Sequence, residues 1–232
     1  MNLQSEVESK SFRTFSLFIF VVLTIFCLIV STFSSMYRVS TINYNSELDL
    51  NYDGLKGIKN SSIWLVNDGN FEKFYQDNLN VENLEISKQL PNVINIKINL
   101  HQKIIVYTDF RDSSPKQRVL YKNLYTDDAI SEIDLANLVI TNGPIDDGFY
   151  SEIVSFILTV EKYEVDLSEV SLTFDGNVLV LNYFDTIIEA GKAVDLSRKG
   201  SVVGYILEKD DCKGKITILE SSNEDIETLF KC

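Results

Sequence analysis

The stretch TFSLFIFVVLTIFCLIVSTFSSMY, residues 14–37, contains no charged side chain. As a helix its 24 positions reach roughly 36 Å at 1.5 Å per residue, against a hydrocarbon core of about 30 Å. Peptide groups in lipid must be satisfied within the segment, so the run predicts one transmembrane helix with Phe, Ile, Leu and Val facing the acyl chains. Residues 1–13 then form a short disordered tail, and everything after Arg38 lies on one side of a membrane. Lys10 and Arg13 precede the run, while Arg38 is followed by Glu47, Asp49 and Asp53. The positive-inside tendency keeps the N-terminus in the cytoplasm and exports the rest. A cleaved signal peptide is the alternative, with an apolar region of about 7–15 residues and Ser31, Ser34 and Ser35 as a weak cleavage site. The length of the run favours an uncleaved anchor.

From Val39 onward 18 basic residues stand against 32 acidic ones, a net charge of −14. That balance argues against nucleic acid as a ligand, because phosphate binding needs a basic surface that releases counterions. It also opposes adsorption to an anionic lipid surface. The exported part is long enough for one or two domains with real cores. Cys27 lies in the apolar run, leaving Cys212 and Cys232 as the one pair a disulfide would join; the apolar content suffices for folding without it.

Val39 to Tyr44 is rich in β-branched residues and predicts a short strand, and Asn45-Ser46-Glu47 caps a short helix reaching towards Gly54. Phe71, Phe74, Tyr75, Asn78 and Leu79 recur at helical spacing. A second polar–apolar stretch, Val81 to Leu90, is read as helical and stopped by Pro91, since the residue before proline is pushed out of the helical region. Ile94, Ile96, Ile98 and Leu100 alternate with polar residues, and Lys103 to Thr108 follows as the other half of a hairpin. The order is strand, helix, helix, strand, strand.

Beyond Pro115, read as a junction, Val119–Tyr125 and Leu138–Ile140 predict strands. Phe149, Ile153, Phe156, Ile157 and Val160 form one helical stripe, with Asp146 and Asp147 near its positive end. Val170–Phe174, Asp175-Gly176 and Asn177–Tyr183 make a hairpin, because Asp-Gly accepts the positive φ that a tight turn demands. Thr186–Ala190 predicts a strand ending at Gly191, Asp195–Glu208 a helix, and Lys215–Leu219 a final strand, followed by a loose acidic tail from Ser221 to Cys232.

A single span followed by a β-α-α-β-β module, with Leu90-Pro91-Asn92-Val93 leading into alternating apolar residues, resembles the bacterial cell-division proteins FtsQ/DivIB and their POTRA domain. Ile188-Glu-Ala-Gly191 and Asp195-Leu-Ser-Arg-Lys199 fit that family's β domain. The resemblance implies an α+β fold class: a cytoplasmic tail over 1–13, a transmembrane helix over 14–37, a POTRA-like domain over 38–112, a β domain with a mainly antiparallel sheet over 113–220, and a tail over 221–232. It also implies a non-enzymatic scaffold of the division septum, held in the cell membrane and assembling with small bitopic partners of the FtsL and FtsB/DivIC types.

Catalytic patterns are not found in the sequence. His101 is the one histidine, no Gly-x-Ser-x-Gly turn is present, and Asp127-Asp128, Asp146-Asp147 and Asp210-Asp211 each fall in a predicted loop, where they read as turn or helix-end residues. No phosphate-cradling glycine loop or zinc spacing occurs, so neither enzyme activity nor a cofactor is expected. Asp49-Leu-Asn51-Tyr-Asp53-Gly54 begins like a calcium-binding EF-hand loop, but Asn60 stands where the bidentate carboxylate is needed. A calcium-dependent surface adhesin is therefore the alternative to the scaffold, and an exported enzyme with converging carboxylates a third reading. The candidate contact is strand addition along Ile216, Thr217, Ile218 and Leu219, provided that final strand lies at a sheet edge; the other reading is an edge merely protected by Lys213, Lys215 and the tail.

Overall fold

A computed structural model describes residues 3–45, 48–129, 134–209, 213–220 and 226–231. The chain divides into two units, residues 1–100 and 101–232.

The first unit opens with helix α1, Leu3–Phe33, which begins inside the stretch expected to be a disordered tail. Ser34 is extended, and its hydroxyl accepts a hydrogen bond from the Met36 N–H, starting a 3₁₀ turn over Ser35–Tyr37. A serine side chain competes with the helical backbone for such donors, and this one ends the helix four residues before the uncharged run ends. Among the described residues no helix is long and apolar enough to cross a membrane. The described side chains of α1 run from Phe15 to Val30 and are all exposed. The transmembrane helix expected over 14–37 is thereby corrected.

Strand β1, Thr41–Tyr44, then helices α2, Asp53–Lys56, and α3, Glu72–Asp77, precede strands β2, Val81–Gln89, and β3, Val93–Leu100. The sheet order is β1-β3-β2, with β1 parallel and β2 antiparallel to β3. Ile94, Ile96 and Ile98 point into a core with Leu55, Ile63, Phe71, Phe74 and Leu84, while Asn95, Lys97 and Asn99 face out, as a period of two requires. Gly54 lets α2 press onto α3: a Cβ there would stand 2.7 Å from the Phe74 backbone.

The strand–helix–helix–strand–strand order is present but built from other segments than expected. Residues 81–89 are a strand, not a helix. A register shift between Val81 and Asn83 inserts one residue, so Val81 and Leu84, three apart as on a helix, are both buried. The expected hairpin of residues 94–100 with 103–108 does not form: its second strand belongs to the other unit, and the chain divides after Leu100 rather than near Pro115.

The second unit contains strands β4, Lys103–Asp109, β5, Gln117–Tyr121, β6, Thr126–Asp128, and β7, Asn137–Ile140. Helix α4, Asp147–Val160, follows, then β8, Val170–Phe174, β9, Leu179–Tyr183, and β10, Thr186–Gly191. Helix α5, Leu196–Lys209, and strands β11, Lys215–Glu220, and β12, Ile226–Lys231, complete it. Among the described residues the sheet has nine strands, in the order β12-β11-β10-β9-β8-β7-β4-β5-β6. Of its parallel pairs, β7–β8 and β10–β11 are joined through helices α4 and α5, and β4–β7 through β5 and β6, as parallel neighbours require a crossover. The Asp146 side chain caps α4 by accepting from the Phe149 N–H. Ile153, Phe156, Ile157, Leu196 and Val203 bury one face of the sheet, against Leu138, Leu172, Leu181, Ile188 and Ile216. Gly200 and Gly204 allow close approach: a Cβ at Gly204 would stand 2.3 Å from the Tyr163 ring.

Candidate interaction edge

Ile216, Thr217, Ile218 and Leu219 occupy β11 as the sequence indicates, but β11 is not an edge. It pairs in parallel with β10, Ile187 opposite Lys215 through Glu189 opposite Thr217. On its other side every residue from Lys215 to Glu220 has a partner in β12, with Thr217 opposite Leu229 and Ile218 opposite Thr228. Ile216 and Ile218 point into the core. On the opposite face Lys215 Nζ meets Glu189 Oε1 at 2.5 Å, and Thr217 Oγ1 donates to Glu189 Oε2 at 3.2 Å. Hydrogen bonding from Lys215 holds the Glu189 carboxyl below the usual range, against a small desolvation cost.

The end of the sheet is β12, six residues long, which has no further strand neighbour among the described residues. Leu229 lies on the same face as Thr217 and is 59% exposed, beside the half-exposed Leu219. Sequence reading placed residues 226–231 in a loose tail because they follow Asn223, Glu224 and Asp225. The signal was the strand-forming set Ile226, Thr228 and Phe230 at every second position, β-branched and aromatic residues that suit a pleated surface. The opposite end, β6, is only three residues long, carries Asp127 and Asp128, and is tied by Asp128 to Lys116 at 3.7 Å. Shortness and charge blunt an edge against strand addition.

In the first unit the Tyr75 hydroxyl accepts from the Leu84 N–H at 3.1 Å, occupying part of the outer edge of β2. The EF-hand-like segment is spent on local structure. Asn51 Oδ1 accepts from the Asp53 N–H, Asp53 binds Lys56 at 2.6 Å, and Asn78 bonds both the N–H and C=O of Asn51. These residues do not fit a calcium ion, and among the described residues no group of three or more His, Cys, Asp or Glu is placed to hold a metal.

A cleft of about 390 Å³ is lined by Pro144, Asp146, Phe149, Phe174, Asn177 and Lys192, but its one carboxylate is the α4 cap. Asp127 and Asp128 lie on β6, and His101 sits between β3 and β4. Asp210, Asp211, Cys212 and Cys232 lie outside the described residues. No model of a known protein family matches this chain, and no curated protein matches it.

Proposed function

We propose that this protein is a non-enzymatic scaffold of the bacterial division septum, working on the outer side of the cell membrane. It captures small bitopic partners of the FtsL and FtsB/DivIC types by strand addition. The observation that carries this reading is the side of β12 that has no strand neighbour among the described residues, at the end of the larger sheet, six residues of backbone with an exposed leucine beside them. A strand added there gains backbone hydrogen bonds for affinity, and side-chain pockets at alternate positions give selectivity. The resemblance of the three-stranded unit's order, and of the Gly191 and Lys199 positions, to FtsQ/DivIB proteins supplies the division context.

The contact proposed at Ile216–Leu219 moves one strand outward, to β12. The test is co-purification of the full chain with its membrane partners, comparing wild type with Leu229→Lys. Recovery of small bitopic division proteins with wild type and their loss with the folded variant supports the reading. Absence of such proteins from the wild-type complex overturns the division assignment.

A further inference from the structure

Residues 34–38 and 60–65 lock together at the end of α1. Val39 N–H donates to Ser61 C=O, Asn60 N–H donates to Val39 C=O, and Arg38 pairs with Ser62 in an isolated antiparallel bridge. The Arg38 guanidinium donates to the Asn60 carbonyl at 3.5 Å. Ile63 is fully buried and anchors a 3₁₀ turn over Ile63–Leu65, whose next two side chains point away from the core. Trp64 is 45% exposed and Leu65 63%. The Trp64 ring rests 5.6 Å from that of Tyr37, beside the exposed Met36. The patch thus has two rings with polar tips, the apolar side chains of Leu65 and Met36, and the cation of Arg38 beside Tyr37 in sequence, all presented by backbone held in place.

We propose that this patch is a lipid-contacting surface, seating Trp64 and Leu65 in the interfacial layer of a phospholipid bilayer. Tyrosine and tryptophan suit that layer because their rings are apolar and their O–H and N–H groups remain wet. Leu65 and Met36 supply the apolar part, and the Arg38 guanidinium, held at the Asn60 carbonyl beside the patch, is the cation available to a phosphate. A protein partner fits less well, since four side chains fall far short of the roughly 20–30 residues a side of a stable interface. Helix α1, whose described side chains from Phe15 to Val30 are apolar for the most part and exposed, also approaches residues 63–65. Such a contact lies on a bilayer and requires no crossing of it. The proposal rests on the membrane location given above, but not on strand addition at β12.

Trp64 is the sole tryptophan of the chain, so its emission reports this patch alone. The full chain is mixed with phosphatidylcholine vesicles whose acyl chains carry bromine either near the headgroup or near the bilayer centre. The expected result is a blue-shifted emission, quenched by shallow bromine and much less by deep bromine. Leu65→Glu, at an exposed position that leaves the fold intact by circular dichroism, loses the shallow quenching, and Met36→Glu weakens it. The proposal is overturned if the chain does not bind the vesicles, if neither bromine position quenches Trp64, if the deep one quenches more, or if Leu65→Glu changes nothing. Those outcomes leave the co-purification test of the division reading untouched.

Discussion

Ile216 and Leu229 sit on neighbouring strands and should behave oppositely. Ile216 has no exposed surface and lies between Ile188 of β10 and Phe230 of β12 in register. Truncation to alanine removes three carbon groups, about 2.4 kcal/mol of transfer energy at 0.8 each, and the cavity left behind brings the expected loss to about 2–5 kcal/mol. Domains of this kind are stable by about 5–15 kcal/mol, so the loss is large. Leu229 keeps 59% of its surface exposed, so the same truncation forfeits about two-fifths of the transfer energy, about 1 kcal/mol. The assay is amide hydrogen exchange of peptides from β10, β11 and β12, which isolates this sheet from the other unit. Ile216→Ala should lose roughly 30-fold or more in protection, the equivalent of about 2 kcal/mol, and Leu229→Ala about fivefold. In the partner assay the order reverses: Leu229→Lys abolishes capture, while Ile216→Ala retains it at temperatures where it is folded. Equal effects on exchange, or capture lost with Ile216→Ala and kept with Leu229→Lys, would refute the placement of the contact on β12.

Other consequences follow from local geometry. Gly204→Ala, whose Cβ would meet the Tyr163 ring at 2.3 Å, should destabilise the second unit by about 1–3 kcal/mol in urea unfolding, and adding Tyr163→Ala should relieve part of the clash. Asn78→Leu removes a buried amide that serves Asn51 N–H, Asn51 C=O and Phe74 C=O. Leaving those groups unpaired should cost the first unit about 2–4 kcal/mol, read from the unfolding midpoint of Trp64 fluorescence. The Asp109 carboxyl is held below the usual range, first by hydrogen bonding from Arg111 and against desolvation. A depressed carboxyl pKa gives stability that is present above the unfolded value of about 3.9 and lost as pH falls through the folded one. Wild type should therefore weaken below about pH 4 more steeply than Arg111→Gln, in which Asp109 titrates nearer the unfolded value by carboxyl NMR.

Local chemistry was legible wherever one segment decides its own structure. Asp175 Oδ1 accepts from the Asn177 and Val178 N–H groups while Gly176 takes φ of +96°, so the β8–β9 hairpin could be read from two residues. Helices α4 and α5 were equally plain from their stripes and, at α4, its Asp146 cap. The misreadings are of two other kinds. At β2 a bulge placed Val81 and Leu84 on the same side and imitated a helical interval, and at α1 the Ser34 side chain ended a helix that composition alone would have extended. At β4 and β11 the strands were found but their neighbours were not. Strand β4 pairs in parallel with β7, with Val106 opposite Asn137, a partner 31 positions away in sequence. Strand β11 lost its edge position to a strand that follows it. Being at an edge is not a property of residues 215–220; it depends on whether any later segment pairs with them, and Ile226–Lys231 does. A site defined by missing hydrogen bonds can therefore be located only after every strand has been placed, whereas a site defined by side chains, such as the Trp64 patch, needs only the few residues that hold it. That difference makes β12 the sterner test: its assignment fails if any further chain, from this protein or a partner already bound, occupies its outer side, and Leu229 protected in the unbound wild type would reveal that occupation.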